Sequence, residues 1–195
     1  MDDTRDVADM DTLARRLKAA GPAPVHLWNP PFCGDLDMRI AADGTWRYMG
    51  TPIARARLVR LFASVLRRDE DGRFYLVTPV EKIGIRVDDA PFLAVSMEVS
   101  GDGVDQKLNL TTNVGDKIAA GPDHALRFAV EAETGGLKPY IHVRGRLEAL
   151  VSRAVMHELA DLVRTHELTG KPHYGVWSGG VFFSISPQNQ IGNGY

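Results

Sequence analysis

From Leu93 to Leu147 apolar residues alternate with polar ones through a series of short runs, and each run ends in a turn built on glycine, aspartate or proline. Leu93, Val95, Met97 and Val99 share one side of the first run, which Gly101-Asp102-Gly103 closes. Leu108 and Leu110 continue on the next run, toward Thr111-Thr112-Asn113. Gly115-Asp116 and Gly121-Pro122-Asp123-His124 mark further turns. Leu126, Phe128 and Val130 alternate on another strand. A strand from Tyr140 to Leu147 puts Ile141 and Val143 on one side and Tyr140, His142 and Arg144 on the other. A period of two is the signature of half-buried strands, and connections this short join antiparallel neighbours rather than parallel ones. The chain is therefore organised around sheets, with helices as minor partners.

The first half shows the same logic with one helix inserted. Asp37–Ile40 and Thr45–Tyr48 flank Ala41-Ala42-Asp43-Gly44, a hairpin by its Asp-Gly turn. Thr51-Pro52 then reads as a helix start, since a threonine cap accepts an orphan amide and proline lacks one. The spacing predicts a helix to about Arg68, with Leu58, Leu61, Phe62, Val65 and Leu66 on one face. Arg57, Arg60, Arg67 and Arg68 fall on the opposite, solvated face, while Arg55 falls on the apolar side and calls for a carboxylate such as Glu81, Asp88 or Asp89, or for a ligand anion. Phe74–Thr78 and Ile83–Val87 read as two further strands, with Pro79 between them.

A second helix, Ser152 to about His166, is expected to bury Val151, Val155, Leu159, Leu162 and Val163. A closing hairpin runs from Tyr174 to Trp177, through Ser178-Gly179-Gly180, to Val181–Ile185. Val7, Met10, Leu13, Ala14 and Leu17 recur at helical spacing before Gly21-Pro22, and Pro22, Pro24, Pro30 and Pro31 make the following stretch an irregular connector. In each half a strand or hairpin precedes the helix and strands led by an aromatic follow it, which suggests a duplicated unit. The expected architecture is α+β: two similar units of mainly antiparallel strands, each with one principal helix, plus an N-terminal helix. Its boundaries are 1–24 for the helix and connector, 25–89 for the first unit, 90–187 for the second and 188–195 for a loose tail.

Composition narrows the function classes. A net charge of −2 supplies no general attraction to nucleic acid or anionic lipid, so direct DNA or RNA binding is not expected. Cys33 is the one cysteine, which excludes an intramolecular disulfide framework and fits a reducing compartment. Met1–Asp6 is acidic where a secretory signal is basic, and no apolar run approaches the roughly 20 residues a bilayer requires. A cytoplasmic protein with no membrane contact is the expectation. Catalytic constellations are largely missing. His157-Glu158-Leu159-Ala160-Asp161 has aspartate where a zincin helix needs its second histidine, and Gly175-Val176-Trp177-Ser178-Gly179 has its serine one place late for a nucleophile elbow. Neither a cofactor nor a metal site is expected, and no catalytic residue is assigned.

The stretch Thr78-Pro79-Val80-Glu81-Lys82, followed by Val87-Asp88-Asp89-Ala90-Pro91-Phe92, joins the two halves. Together with Asp43-Gly44-Thr45-Trp46, Pro52-Ile53-Ala54-Arg55, Thr112-Asn113, Gly121-Pro122-Asp123-His124, Val143–Leu147 and Trp177–Gly180, it resembles the bacterial family labelled domain of unknown function 1285, over roughly residues 25–187. The resemblance implies an internally duplicated two-unit α+β fold whose second unit is superficially like a pleckstrin-homology domain. It also implies a ligand, in the family's case suggested to be nucleotide-based, bound between the units in a signalling or stress-response role.

On these grounds the expectation is a regulatory or signal-transduction protein that binds a small anionic ligand. Arg55, Lys82 and Arg144 would meet the anion through charge-assisted hydrogen bonds. Trp46 or Trp177 would stack on a base, and Asn113 and Ser178 would orient the ligand, beside Thr78, Glu81, Asp88 and His142 in the same cleft. Two alternatives stay open: a hydrolase or transferase using Glu81, Asp88, Asp89 and His142, and a module that binds a protein partner through exposed sheet edges. The central charges also have a purely structural reading, as a network of salt bridges.

Overall fold

The computed structural model describes residues 24–185; the helix expected from Val7 to Leu17 and the tail from Gln188 lie outside the described residues. The chain divides into two units, one of residues up to Asp89 with Gly145–Leu147, the other of Ala90–Arg144 with Glu148 onward. Both are sheet-rich with mostly antiparallel strands, and each has one helix among the described residues.

In the first unit, a short 3-10 turn at Val25–Leu27 leads into β1 (Phe32–Ile40), β2 (Trp46–Tyr48) and β3 (Thr51–Pro52). Then come α1 (Ala56–Ser64), β4 (Leu66–Arg68), β5 (Phe74–Val77) and β6 (Lys82–Val87). The six strands form one sheet in the order β3-β2-β1-β6-β5-β4. Pairs along the sheet are antiparallel except β1 with β6, which run parallel. The Asp43-Gly44 turn forms as its sequence predicts: Gly44 adopts φ 80°, and Thr45 N donates to Asp43 Oδ1 at 2.9 Å. Alternation then decides the faces. Met38, Ile40 and Trp46 are buried, and Trp46 stacks on Phe62 of α1 with ring centroids 6.2 Å apart. Leu58, Phe62 and Ala63 are the buried stripe of α1. Arg39 and Arg47, between or beside these positions, are left on the opposite face of the sheet.

The second unit contains β7 (Phe92–Ser100), β8 (Lys107–Thr112), β9 (Lys117–Ala119), β10 (Leu126–Val130), β11 (Leu137–Arg144) and β12 (Leu147–Val151). These form a sheet in the order β10-β11-β12-β7-β8-β9, with β7 and β12 parallel at Phe92–Ala94 and Ala149–Val151. After α2 (Arg153–Asp161), the strands β13 (Arg164–Leu168), β14 (Lys171–Ser178) and β15 (Val181–Ser184) form a three-stranded antiparallel sheet. Ser152 caps α2, its hydroxyl accepting from Val155 N at 3.4 Å. The larger sheet curls into a half-barrel consistent with a pleckstrin-homology-like fold. In both units a helix is followed by three consecutive strands that form an antiparallel meander, β4-β5-β6 and β13-β14-β15.

Both helices are shorter than their apolar spacing predicts. Leu66–Arg68 and Arg164–Leu168 are strands, so the last three residues of each expected helix are sheet. At the first site Val65 departs from helical geometry at φ −109°, ψ 8°, and its carbonyl then accepts from Val77 N at 2.9 Å. Apolar residues at the end of a helix and at the start of a buried strand satisfy the same spacing over four residues, and tertiary pairing chooses between them. The start of α1 also moves. Thr51-Pro52 pairs with Arg47 and Tyr48 as an edge strand, a place where proline's missing amide is harmless, and the helix begins four residues later. Gly145, at φ 54°, turns the chain between β11 and β12, so the single strand expected from Tyr140 to Leu147 is two.

Candidate functional site

Strand register assembles a cationic row on the outer face of the first unit's sheet. Arg39 of β1 stands opposite Arg47 of β2 and, on its other side, opposite Arg86 of β6. Strands lie about 4.8 Å apart, so the row crosses three strands and spans roughly 10 Å between its outer α-carbons. Like charges directly opposite one another oppose sheet formation. One of the three is compensated: Arg39 donates from Nε and Nη2 to the two carboxylate oxygens of Asp88 at 2.7 and 2.6 Å. Those hydrogen bonds hold the Asp88 carboxyl below the usual carboxylate range. Arg47 donates to the Gly50 carbonyl at 3.3 Å. Arg86 is exposed; its charge also helps to hold the Asp88 carboxyl low, and no hydrogen bond fixes its side chain among the described residues.

These three arginines line a cleft of about 780 Å³ together with Asp35, Leu36, Asp37, Met38, Ala41 and Gly50. That volume lies in the range of small-molecule sites. At one end Asp35 pairs with Arg73. The Asp35 carboxylate occupies the space a side chain at residue 84 would fill, which is why glycine stands there. At the other end the wall is the Met49-Gly50 turn, where both residues have positive φ, 48° and 76°.

A second charged cluster in the same unit contains residues of the central stretch. Asp69 accepts from Arg67 Nε and Nη2 at 2.5 and 3.1 Å and from Lys82 Nζ at 3.1 Å. Arg67 Nη1 also donates to the carbonyls of Val25 and Trp28 at 2.8 and 2.6 Å, tying down the connector. Lys82 lies 4.5 Å from the Tyr75 ring centroid. Burial opposes ionisation of Asp69, yet the hydrogen bonds and charges of Arg67 and Lys82 outweigh it and keep this carboxyl below its ordinary range. Arg67 is therefore not on a solvated helix face but in a half-buried ion network, the structural reading of the charged stretch.

The other anticipated residues are distributed as follows. Arg55 is the N-cap of α1 and exposed, a correction to its expected place on the apolar helix face that follows from the later helix start. Asp88 pairs with Arg39. Thr78 is buried, and its hydroxyl accepts from Val80 N and Glu81 N at 3.2 and 3.0 Å, shaping the turn before β6. Glu81 is half-buried in that turn. Trp46 is buried against Phe62, so it presents no face for stacking on a ligand.

In the second unit Arg144 pairs with Asp116 at 3.0 Å and lies over the Phe92 ring, 5.1 Å from its centroid. Asn113 accepts from Leu93 N at 3.1 Å. His142 stacks on His124 with centroids 5.7 Å apart, each Nδ1 within 3.1 Å of a backbone carbonyl. Trp177 packs with Phe182 and His166, at 5.3 and 4.9 Å. Ser178 is fully buried: its hydroxyl donates to the Ala120 carbonyl at 2.7 Å and accepts from Leu108 N at 2.9 Å. Of the three cations expected on the ligand, Lys82 and Arg144 are each held by a carboxylate of their own unit. Among the described residues no group of three or more histidine, cysteine or carboxylate side chains is arranged to hold a metal ion.

Two family models match this chain: the N-terminal domain of the domain of unknown function DUF1285 over residues 23–90, and the C-terminal domain of the same family over 91–185. The chain belongs to the DUF1285 family. A crystal structure of a DUF1285 family protein from Silicibacter pomeroyi DSS-3 is 54% identical, with a TM-score of 0.85, covering 92% of this chain and 95% of that one. A DUF1285 family protein from Shewanella baltica OS155 is 28% identical with a TM-score of 0.50, covering 64% of this chain and 90% of that one. No curated protein sequence matches.

DUF1285 membership brings a two-domain architecture and no activity, so function in this DUF1285 chain has to be argued from its own residues. Sequence reasoning missed the arginine row. Arg39 and Arg47 were both on the expected hairpin, and the turn Ala41–Gly44 sets their register, so that pair was accessible. Arg86 was not, because it joins the row through a parallel pairing between strands that lie far apart in the chain.

Proposed function

We propose that this protein binds a small anionic ligand, nucleotide-like compounds included, in a regulatory rather than a catalytic capacity, and that the anion sits on Arg39, Arg47 and Arg86. The observation that carries this reading is the registered row itself. Three guanidinium groups placed side by side on one sheet face work against the sheet, and a bound phosphate or carboxylate would relieve that repulsion through charge-assisted hydrogen bonds. Asp88 holds the central guanidinium by two hydrogen bonds, which fixes its plane before a ligand arrives. The cleft around the row has room for a ligand of metabolite size.

Thermal-shift and calorimetric titrations with inorganic phosphate, pyrophosphate and a panel of nucleotides test the proposal. A ligand at about 100 times its dissociation constant stabilises the native state by roughly 2.7 kcal/mol. The expected result is a shift in wild type that weakens with salt and disappears in the Arg47→Ala/Arg86→Ala double variant. Arg60→Ala, on the exposed side of α1, should retain it. No shift with any anion, or equal shifts in wild type and double variant, would overturn the assignment.

A further inference from the structure

We infer that the cleft takes a phosphate ester whose carbon skeleton carries a hydrogen-bond donor, a hydroxyl or an ammonium, next to the phosphate, and that Asp37 is the residue that selects for it; this rests on the anion-binding reading above. Three aspartates border the arginine row, and two of them are neutralised by the fold: Asp88 by Arg39 and Asp35 by Arg73. Asp37 is the exception. Its side chain makes no hydrogen bond or ion pair among the described residues, although it lines the cleft.

Its position is fixed by the backbone. Asp37 lies two residues before Arg39 on β1, between the half-buried Leu36 and the buried Met38, so it stands on the same outward face roughly 7 Å along the strand. Its carbonyl accepts from Met49 N at 2.9 Å, which pins the strand to the turn that walls the cleft. A phosphate on the arginine row therefore has a carboxylate beside it. Toward a bare anion that carboxylate is repulsive. Toward an ester bearing a donor at neighbouring carbon it is an acceptor, and the same charge that rejects inorganic phosphate rewards the substituted one. Asp37 is thus a specificity-determining residue.

Three esters of similar size separate the possibilities: glycerol 3-phosphate, with hydroxyls; O-phosphoethanolamine, with an ammonium; and ethyl phosphate, with neither. Their affinities are to be measured by calorimetry on wild type, Asp37→Ala and Asp37→Asn. Loss of a hydrogen bond to a charged acceptor weakens binding about tenfold or more. The expected result is that Asp37→Ala weakens at least one donor-bearing ester by that factor while ethyl phosphate binds as well as before or better, which also shows that the variant is folded. Which ester responds identifies the donor as hydroxyl or ammonium. If both variants bind all three esters as wild type does, or weaken all three alike, Asp37 does not select and the inference fails while the anion site stands. If wild type binds no phosphate at all, the anion-binding reading fails, and the inference with it.

Discussion

Replacing Asp69 by alanine tests whether the charged network around the central stretch holds the first unit together. The substitution removes the common acceptor of three hydrogen bonds, two from Arg67 and one from Lys82. The three side chains are between 18% and 20% exposed, so the pairs are neither screened surface contacts nor fully desolvated ones. Exposed pairs contribute about 0–1 kcal/mol and removal of one partner from a buried pair costs about 3–5 kcal/mol. Arg67 keeps the Val25 and Trp28 carbonyls and Lys82 keeps the Tyr75 ring, which lowers the loss toward about 2–3 kcal/mol. For a chain of this size that corresponds to roughly 5–10 °C in the melting temperature. Urea unfolding followed by tryptophan fluorescence reports on the unit, since Trp46 sits in its core.

The pH dependence provides an independent check on the same residue. The folded-state pKa of Asp69 is lowered, so its stabilisation is fully present above the unfolded carboxylate value of about 3.9 and is lost as pH falls through the folded value beneath it. The gap between wild type and Asp69→Ala should be constant from about pH 5 to 8 and should close on the acid side. An Asp69→Ala variant within about 0.5 kcal/mol of wild type at neutral pH, or a gap that persists unchanged in acid, would refute the argument that the network is structural.

Two further substitutions probe the second unit. Ser178→Ala leaves the Ala120 carbonyl and the Leu108 amide without their buried partner and should cost about 1–3 kcal/mol in chemical denaturation, whereas a surface serine substitution at Ser96 should be nearly neutral. Gly175→Ala would force a methyl against the Phe183 carbonyl and to 2.6 and 2.8 Å from carbons of the Phe182 ring, so β15 must shift; a loss of about 1–3 kcal/mol is expected, with a change in near-ultraviolet dichroism from Trp177.

Much of the fold is legible in the residues. The Asp43-Gly44 hairpin, the alternation that buries Leu108 and Leu110 on β8 and Leu126 and Phe128 on β10, and the capped start of α2 at Ser152 all rest on local rules: positive φ at a turn, opposite faces for successive side chains, an oxygen for an orphan amide. β7 departs from its expected pattern, because the fold buries Phe92 and Ala94 and leaves Val95 and Val99 exposed. Helix ends are where those rules run out. Neither glycine nor proline stands between Leu61 and Leu66, so nothing local announces that Val65 leaves the helix; the amide of Val77 in β5 decides it. The same holds near Val163, where the chain turns into β13 with no punctuation. Among site residues, polar side chains next to turns attract functional suspicion, yet Thr78, Asn113 and Ser178 each satisfy backbone groups of the fold.

What the sequence determines by itself is therefore local: two sheet-rich units, each with one amphipathic helix, their turns, and the buried face of strands that alternate cleanly, as β8 does. Burial periodicity and backbone sterics act between near neighbours, and a single chain displays them openly. The tertiary structure alone decides which strand lies beside which. It brings β6 parallel to β1 and so sets Arg86 next to Arg39 and Arg47, and it gives Asp69 rather than Glu81 to Lys82. Pairing of that kind has no local signature, because its free energy is realised only when distant segments meet. The cationic row, and Asp37 beside it, exist only at that level.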